Sequence, residues 1–125
     1  MFSHIMLGAN DVEASKTFYD AALGALGCRP SRIDPKGRAM YMQGGGVFML
    51  SKPIDGQPAS NANGGTIGFA AATPEEADAF HKAGLEAGGT AIEDPPGWRE
   101  GGGMRLYLAY LRDPSGNKVC AMCQC

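Results

Sequence analysis

Residues 5–27 read IMLGANDVEASKTFYDAALGALG, and residues 67–89 read IGFAAATPEEADAFHKAGLEAGG. Slid over one another by 62 positions, the two stretches match without a gap. Ile5 meets Ile67, Leu7 meets Phe69, Ala9 meets Ala71, Phe18 meets Phe80, Leu23 meets Leu85 and Gly27 meets Gly89. Few residues are identical, but apolar and glycine positions coincide throughout, the mark of an internal repeat. Each copy opens on a short apolar run, Phe2–Leu7 and Thr66–Ala70, which predicts a strand. Each then shows a helix start. Asn10 can cap the first helix, with Glu13 three residues on. Thr73-Pro74-Glu75-Glu76 forms a capping box with proline at the first helical position. The helix faces are Ser15, Phe18, Ala22, Leu23 and Leu26 in one copy, and Ala77, Phe80, Gly84 and Leu85 in the other. Gly27 and Gly88-Gly89 stop them.

Working outward, three short strands follow each helix. In the first copy they lie near 29–33, 38–43 and 46–51; in the second, near 90–93, 104–112 and 117–122. Asp34-Pro35-Lys36-Gly37, Gly44-Gly45 and Asp113-Pro114-Ser115-Gly116 punctuate them. The prediction is one α+β domain over 1–125, made of two βαβββ modules in tandem that form a curved, partly closed mixed sheet. Module 1 spans about 1–52 and module 2 about 64–125, joined by the polar linker 53–63 (PIDGQPASNAN). A module of that size is marginal alone, so the two are expected to pack together, and a concave sheet is a natural small-ligand site.

Composition narrows the function. With 44% hydrophobic residues the 125-residue chain is not disordered. A net charge of −2 with scattered Lys and Arg argues against nucleic acid as a partner. No apolar run reaches the length of a membrane span, and Met1–Leu7 lacks the features of a signal peptide. The expected compartment is the cytoplasm, with Cys28, Cys120, Cys123 and Cys125 as free thiols. Cys120, Cys123 and Cys125 are too few for an ordinary structural zinc site, so they read as a strand running into a loose tail.

The chain resembles the glyoxalase/bleomycin-resistance/ring-cleaving dioxygenase superfamily, the vicinal oxygen chelate fold. Ser3-His4-Ile5-Met6-Leu7, Asp11 through Phe18-Tyr19 and Leu23–Gly27 carry the likeness, together with Gly65–Ala70. The most specific element is Asp113-Pro114-Ser115-Gly116-Asn117-Lys118, a DPxGN turn before the final strand. The resemblance covers essentially the whole chain and implies a homodimer. It also implies a divalent metal held by four inward positions on the first and last strands of the modules. His4 matches the first ligand, the repeat puts the second at Thr66, and the turn puts the last at Cys120. Matching Val47 to Val119 puts the remaining one at Phe48.

That set has one imidazole, one thiol, one weak hydroxyl and one hydrocarbon, and no carboxylate. Non-haem iron and hard cations need carboxylates and imidazoles, and catalytic zinc needs about three protein ligands. The expectation is therefore no cofactor, with His4 and Cys120 the only candidate ligands if a divalent metal ion binds. Two functions compete. One is a metal-free module that binds a small organic molecule in the concave sheet. The other is a metal-dependent glyoxalase-like lyase or isomerase, or a ring-cleaving dioxygenase. No catalytic residue is assigned.

The candidate ligand-binding residues are His4, Phe48, Thr66, Trp98, Arg99, Tyr110 and Cys120. His4 also reads as a hydrogen-bonded strand histidine, His81 as half-exposed packing, and Cys120 as an inert thiol unless His4 stands beside it. Met40 and Met42 share one strand face and Tyr41 takes the other. Tyr107 and Tyr110 lie on opposite faces of 104–112, and apolar residues on both faces leave that strand's phase open. Trp98 and Arg99 fall in 94–103, between Pro95-Pro96-Gly97 and three glycines. That segment reads as a mobile loop, and Trp98 there is either a lid or an edge plug. Arg38, Arg99 and Arg105 are candidates to hold an anionic group.

Overall fold

Both helices form, and local side chains set their starts. The computed structural model describes all 125 residues, and in it α1 spans Val12–Gly24 and α2 spans Pro74–Glu86. Thr73 caps α2 as predicted, accepting the Glu76 N–H, while the Glu76 carboxylate accepts the Ala72 N–H. Asp11, not Asn10, caps α1, with its Oδ1 accepting the Ala14 N–H at 3.0 Å. Asn10 is committed elsewhere. Its side chain exchanges two hydrogen bonds with the Ala59 backbone and ties the linker to module 1.

The strands are β1 (His4–Gly8), β2 (Arg32–Ile33), β3 (Ala39–Gln43), β4 (Gly46–Ser51), β5 (Ile67–Ala70), β6 (Thr90–Ala91), β7 (Gly97–Gly101), β8 (Met104–Arg112) and β9 (Lys118–Cys123). They form two sheets, one per module, in the orders β1-β4-β3-β2 and β5-β9-β8-β6, with β7 also on β8. β1 runs parallel to β4 and β5 parallel to β9, while the other pairs are antiparallel, so both sheets are mixed. The predicted α+β tandem is present. Module 2 carries one strand more than predicted. Residues 97–101 are not a mobile loop: they pair with 104–108 across the two-residue turn Gly102-Gly103. Both glycines have positive φ, 56° and 77°, as a tight hairpin turn of this length requires.

The two sheets share one core. Seventeen buried residues form a single cluster that draws on both modules, among them Phe18, Tyr19, Phe48 and Leu50 from the first and Phe80, Leu111, Val119 and Cys123 from the second. The aromatic rings interlock: Phe18 meets Tyr19 edge-on at 4.8 Å, Tyr19 meets Phe48 at 4.9 Å and Phe48 meets Phe69 at 5.2 Å. α1 packs on α2. Two glycines make room for that contact, since a Cβ on Gly89 would stand 2.5 Å from Phe18 Cε2, and one on Gly84 3.0 Å from the same atom.

The DPxGN turn clasps the modules. Asp113 Oδ1 accepts the N–H groups of Ser115 and Asn117, each at 2.9 Å. Asp113 Oδ2 accepts the Tyr19 hydroxyl of α1 at 2.7 Å and the Asn117 side-chain amide. Asn117 Nδ2 also donates to the Gly8 carbonyl at the end of β1, and the Asn10 N–H donates to Ser115 Oγ. Burial, followed by the Asp113 carboxylate, holds the Tyr19 phenol well above its ordinary range, and burial likewise raises that of Tyr41. A raised folded-state value means the unfolded chain releases these protons first. Stability is therefore expected to be intact below about pH 10 and to fall as pH rises further. Unfolding titrations between neutral and strongly alkaline pH check this, and Tyr41→Phe should flatten the alkaline limb.

The register corrects one alignment. Ile5 pairs with Phe48 and Ile67 pairs with Val119. Phe48, not Val47, is thus the counterpart of Val119, and the counterpart of Cys120 is Met49. No helix is long and apolar enough to cross a membrane.

Candidate functional site

Each sheet turns one face to the helices and leaves the other open. Residues paired in register share a face, which sorts the side chains. On sheet 1, Ile5, Tyr41, Phe48 and Leu50 face the core, so His4, Met6, Met40, Met42, Val47 and Met49 take the open face. On sheet 2, Leu111, Val119, Ala121 and Cys123 face the core. Leu106, Leu108, Tyr110, Lys118, Cys120 and Met122 take the open face, as does Arg99, the partner of Leu106. Burial agrees: the three buried apolar residues outside the core cluster are Met49, Leu108 and Cys120, all on open faces. All six methionines after Met1 lie on these two faces, and none joins the core cluster. Several stand bare, with Met42 at 68% and Met6 at 42% exposure.

This sorting keeps some expected residues together and separates others. Tyr110 and Cys120 are direct partners across β8 and β9, which settles the phase of that strand. Lys118 Nζ lies 5.0 Å from the Tyr110 ring centre and pairs with Glu93. Thr66 is exposed and immediately precedes β5, in phase with Gly68, the partner of Cys120. His4 is exposed on the other sheet, and its Nδ1 lies 2.9 Å from Ser3 Oγ. Phe48 leaves the set. It points to the core side, against Tyr19 and Phe69, because β4 alternates one residue out of the expected phase.

Trp98 also leaves the open face. It pairs in register with Tyr107, whose hydroxyl donates to Asp78 of α2, so both rings lie on the helix side of sheet 2. The Trp98 ring meets Tyr107 edge-on at 5.3 Å and carries the Arg105 guanidinium at 4.2 Å. It is packing at the sheet edge rather than a lid. Arg99 stays on the open side, but its guanidinium donates to the carbonyls of Asp94, Pro95 and Gly97 at 2.9–3.0 Å. It staples the start of β7, which spends the donors an anion would need. Arg38 is likewise held by Asp34 at 2.6 Å. Met49 is the residue sequence missed; the pairing of Ile5 with Phe48 is the signal that finds it.

The chemistry available is soft and weakly reactive. Burial pushes the Cys120 thiol up to about 11; Lys118 opposes that shift and Glu93 adds to it. The cation beside Cys120 is thus Lys118, not His4. At neutral pH the thiolate fraction is well below roughly 0.1%, so Cys120 is a poor nucleophile. Alkylation by iodoacetamide at pH 7.5 is expected to reach half-exposed Cys28 first, with Cys120 reacting only as pH climbs; peptide mass mapping reads the order. Cys123 and Cys125 stand close enough to pair, their Cα atoms 5.4 Å apart. No three His, Cys, Asp or Glu side chains converge anywhere in the chain.

A two-module α+β fold with a DPxGN clasp and open mixed sheets defines a glyoxalase-type protein. The comparisons with known proteins agree. The family profile described as the Glyoxalase/Bleomycin resistance protein/Dioxygenase superfamily matches residues 1–121, and the chain belongs to that superfamily. A glyoxalase/bleomycin resistance protein from Albidiferax ferrireducens T118 is 55% identical, with a TM-score of 0.95 and 98% of both chains covered. A glyoxalase/bleomycin resistance protein/dioxygenase family enzyme from Burkholderia phytofirmans PsJN shares the fold at 18% identity and a TM-score of 0.74, again with 98% of each chain. Lactoylglutathione lyase from Agrobacterium tumefaciens does so at 20% identity and 0.67, covering 98% of this chain and 92% of its own. No functionally curated protein matched.

Proposed function

We propose that this protein binds a small organic molecule on the open faces of its sheets, and that a second copy of the chain completes the site. The segregation of all six internal methionines onto those faces carries this reading. Methionine is flexible and polarizable, and it suits adaptable apolar contact. Exposed apolar faces of this kind are normally covered. His4 and Met49 lie on one sheet and Thr66 and Cys120 on the other, and on this reading the four positions are brought together between chains. A homodimer thus supplies sheet 1 from one protomer and sheet 2 from its partner. On this reading the protein works in the cytoplasm.

The family metal does not fit these donors. With Met49 in place of Phe48 the set becomes imidazole, thioether, hydroxyl and a thiol kept protonated by burial. Thioether and thiol suit soft ions, while the oxygen-orienting divalent ions of lyases and dioxygenases take imidazole and carboxylate.

Light scattering at tens of micromolar is expected to give the mass of a dimer, and Met42→Glu should shift it toward monomer. Calorimetry with nickel, zinc and manganese is expected to show no tight binding to the natural chain. The triple variant Met49→Glu, Thr66→His, Cys120→Glu should gain at least about tenfold in affinity, because it raises the good ligands from one to four. Tight stoichiometric binding by the natural chain would instead favour the lyase or dioxygenase reading.

A further inference from the structure

A cavity lies where the two modules meet, lined mainly by side chains of the helix side, with Val47 reaching it from the other face of β4. It encloses about 440 Å³, inside the range of roughly 300–1,000 Å³ usual for small-molecule sites. Ile5, Leu23, Leu26 and Phe48 form its module 1 wall, and Ile67 and Phe69 of β5 form the opposite one. No charged side chain lines it. The nearby Asp20 is spent on Lys16, the Tyr41 hydroxyl and the Ser31 N–H. An ion entering here would find no side chain of opposite charge, which favours a neutral molecule.

The cavity also offers hydrogen bonds. β5 pairs only with β9, so one of its edges is free. The Ala71 N–H donates toward β9, to the Met122 carbonyl. Strand alternation then turns the N–H and C=O of Gly68 and Ala70 to the free edge, and both residues line the cavity. Gln43 also lines the cavity. The internal repeat gives a control within the same chain. At the matching place in module 2, the counterparts of Tyr41 and Phe48 are Leu111 and Val119, both fully buried. Gly84 and Gly89 admit the Phe18 ring there. Leu111 and Val119 are thus sealed from solvent, while Tyr41 and Phe48 border open space beside half-exposed Leu26, Cys28 and Phe69.

We propose that this junction cavity is a binding site for a neutral, ring-bearing apolar molecule with one hydrogen-bonding group, distinct from the open-face site. The probe is phenylnaphthylamine, neutral and carrying one N–H. Its fluorescence is expected to rise saturably with the protein, and anilinonaphthalene sulfonate, its anionic relative, should bind at least tenfold more weakly. Leu26→Trp fills the cavity and is expected to weaken the neutral probe at least tenfold. Leu85→Trp adds bulk to the second helix and should leave binding within twofold. Methyl NMR of the natural protein needs no variant: the probe should shift the methyls of Ile5, Leu23, Leu26 and Ile67. Shifts confined to the methionine methyls of the open faces would overturn the proposal, as would undiminished binding by folded Leu26→Trp or no saturable binding at all.

Discussion

Phe18→Ala is expected to lower the free energy of unfolding by about 3–5 kcal/mol. Phe18 is fully buried, and its ring does two jobs. It packs edge-on against Tyr19 within α1, and it fills the space that Gly84 and Gly89 leave in module 2. Truncation therefore opens a void at the seam between modules, where neither sheet can relax into it without moving the other. Phe80→Ala, at the matching place on α2, is expected to cost a similar amount. Denaturant melts read by circular dichroism measure both. A loss below about 1 kcal/mol at each site would contradict the assigned helix faces. Gly89→Ala should also destabilise, since its Cβ would stand 2.8 Å from the Gly84 carbonyl oxygen as well as against Phe18.

Asp113→Ala is expected to cost about 3–4 kcal/mol, although it removes little apolar surface. One carboxylate, nearly inaccessible to water, accepts four hydrogen bonds, two within its own turn and two that hold the clasp. Each is worth about 0.5–1.5 kcal/mol net, and a buried Tyr19 hydroxyl left without a partner adds the cost of its desolvation. Asp113→Asn should fall between wild type and alanine, because the amide oxygen can still accept while the amide nitrogen cannot. A melt of Asp113→Ala indistinguishable from wild type would dissolve the clasp.

The modules were legible because the helices carry the repeat. From Ile5 to Gly27 and from Ile67 to Gly89 nothing is inserted, so the buried positions stay in phase. Past the helices that phase is lost. Ile5 to Phe48 is 43 residues and Ile67 to Val119 is 52, a difference of nine that reflects the added β7. Matching Val47 to Val119 by residue type slips one position, and a one-residue slip turns a side chain to the other face of a sheet. That slip places Phe48 on the wrong face and hides Met49. The position of Cys120 survived because it was counted from a turn two residues before β9. β7 reads as loop in the sequence because Pro95-Pro96-Gly97 and the glycine run mask a real hairpin signal, Gly102-Gly103 between Trp98 and Tyr107. Arg99 looked free for an anion because its carbonyl partners come from a backbone bend that no residue type announces.

The Tyr19–Asp113 bond spans 94 positions of chain, and this bears on how the protein is made. A nascent polypeptide that has not yet emerged as far as Asp113 has nothing to receive the Tyr19 hydroxyl or to bind the Gly8 carbonyl. Phe18 likewise waits for Gly84 and Gly89. The first half leaves the ribosome with its aromatic seam uncovered and stays that way until the residues up to Asp113 have been translated.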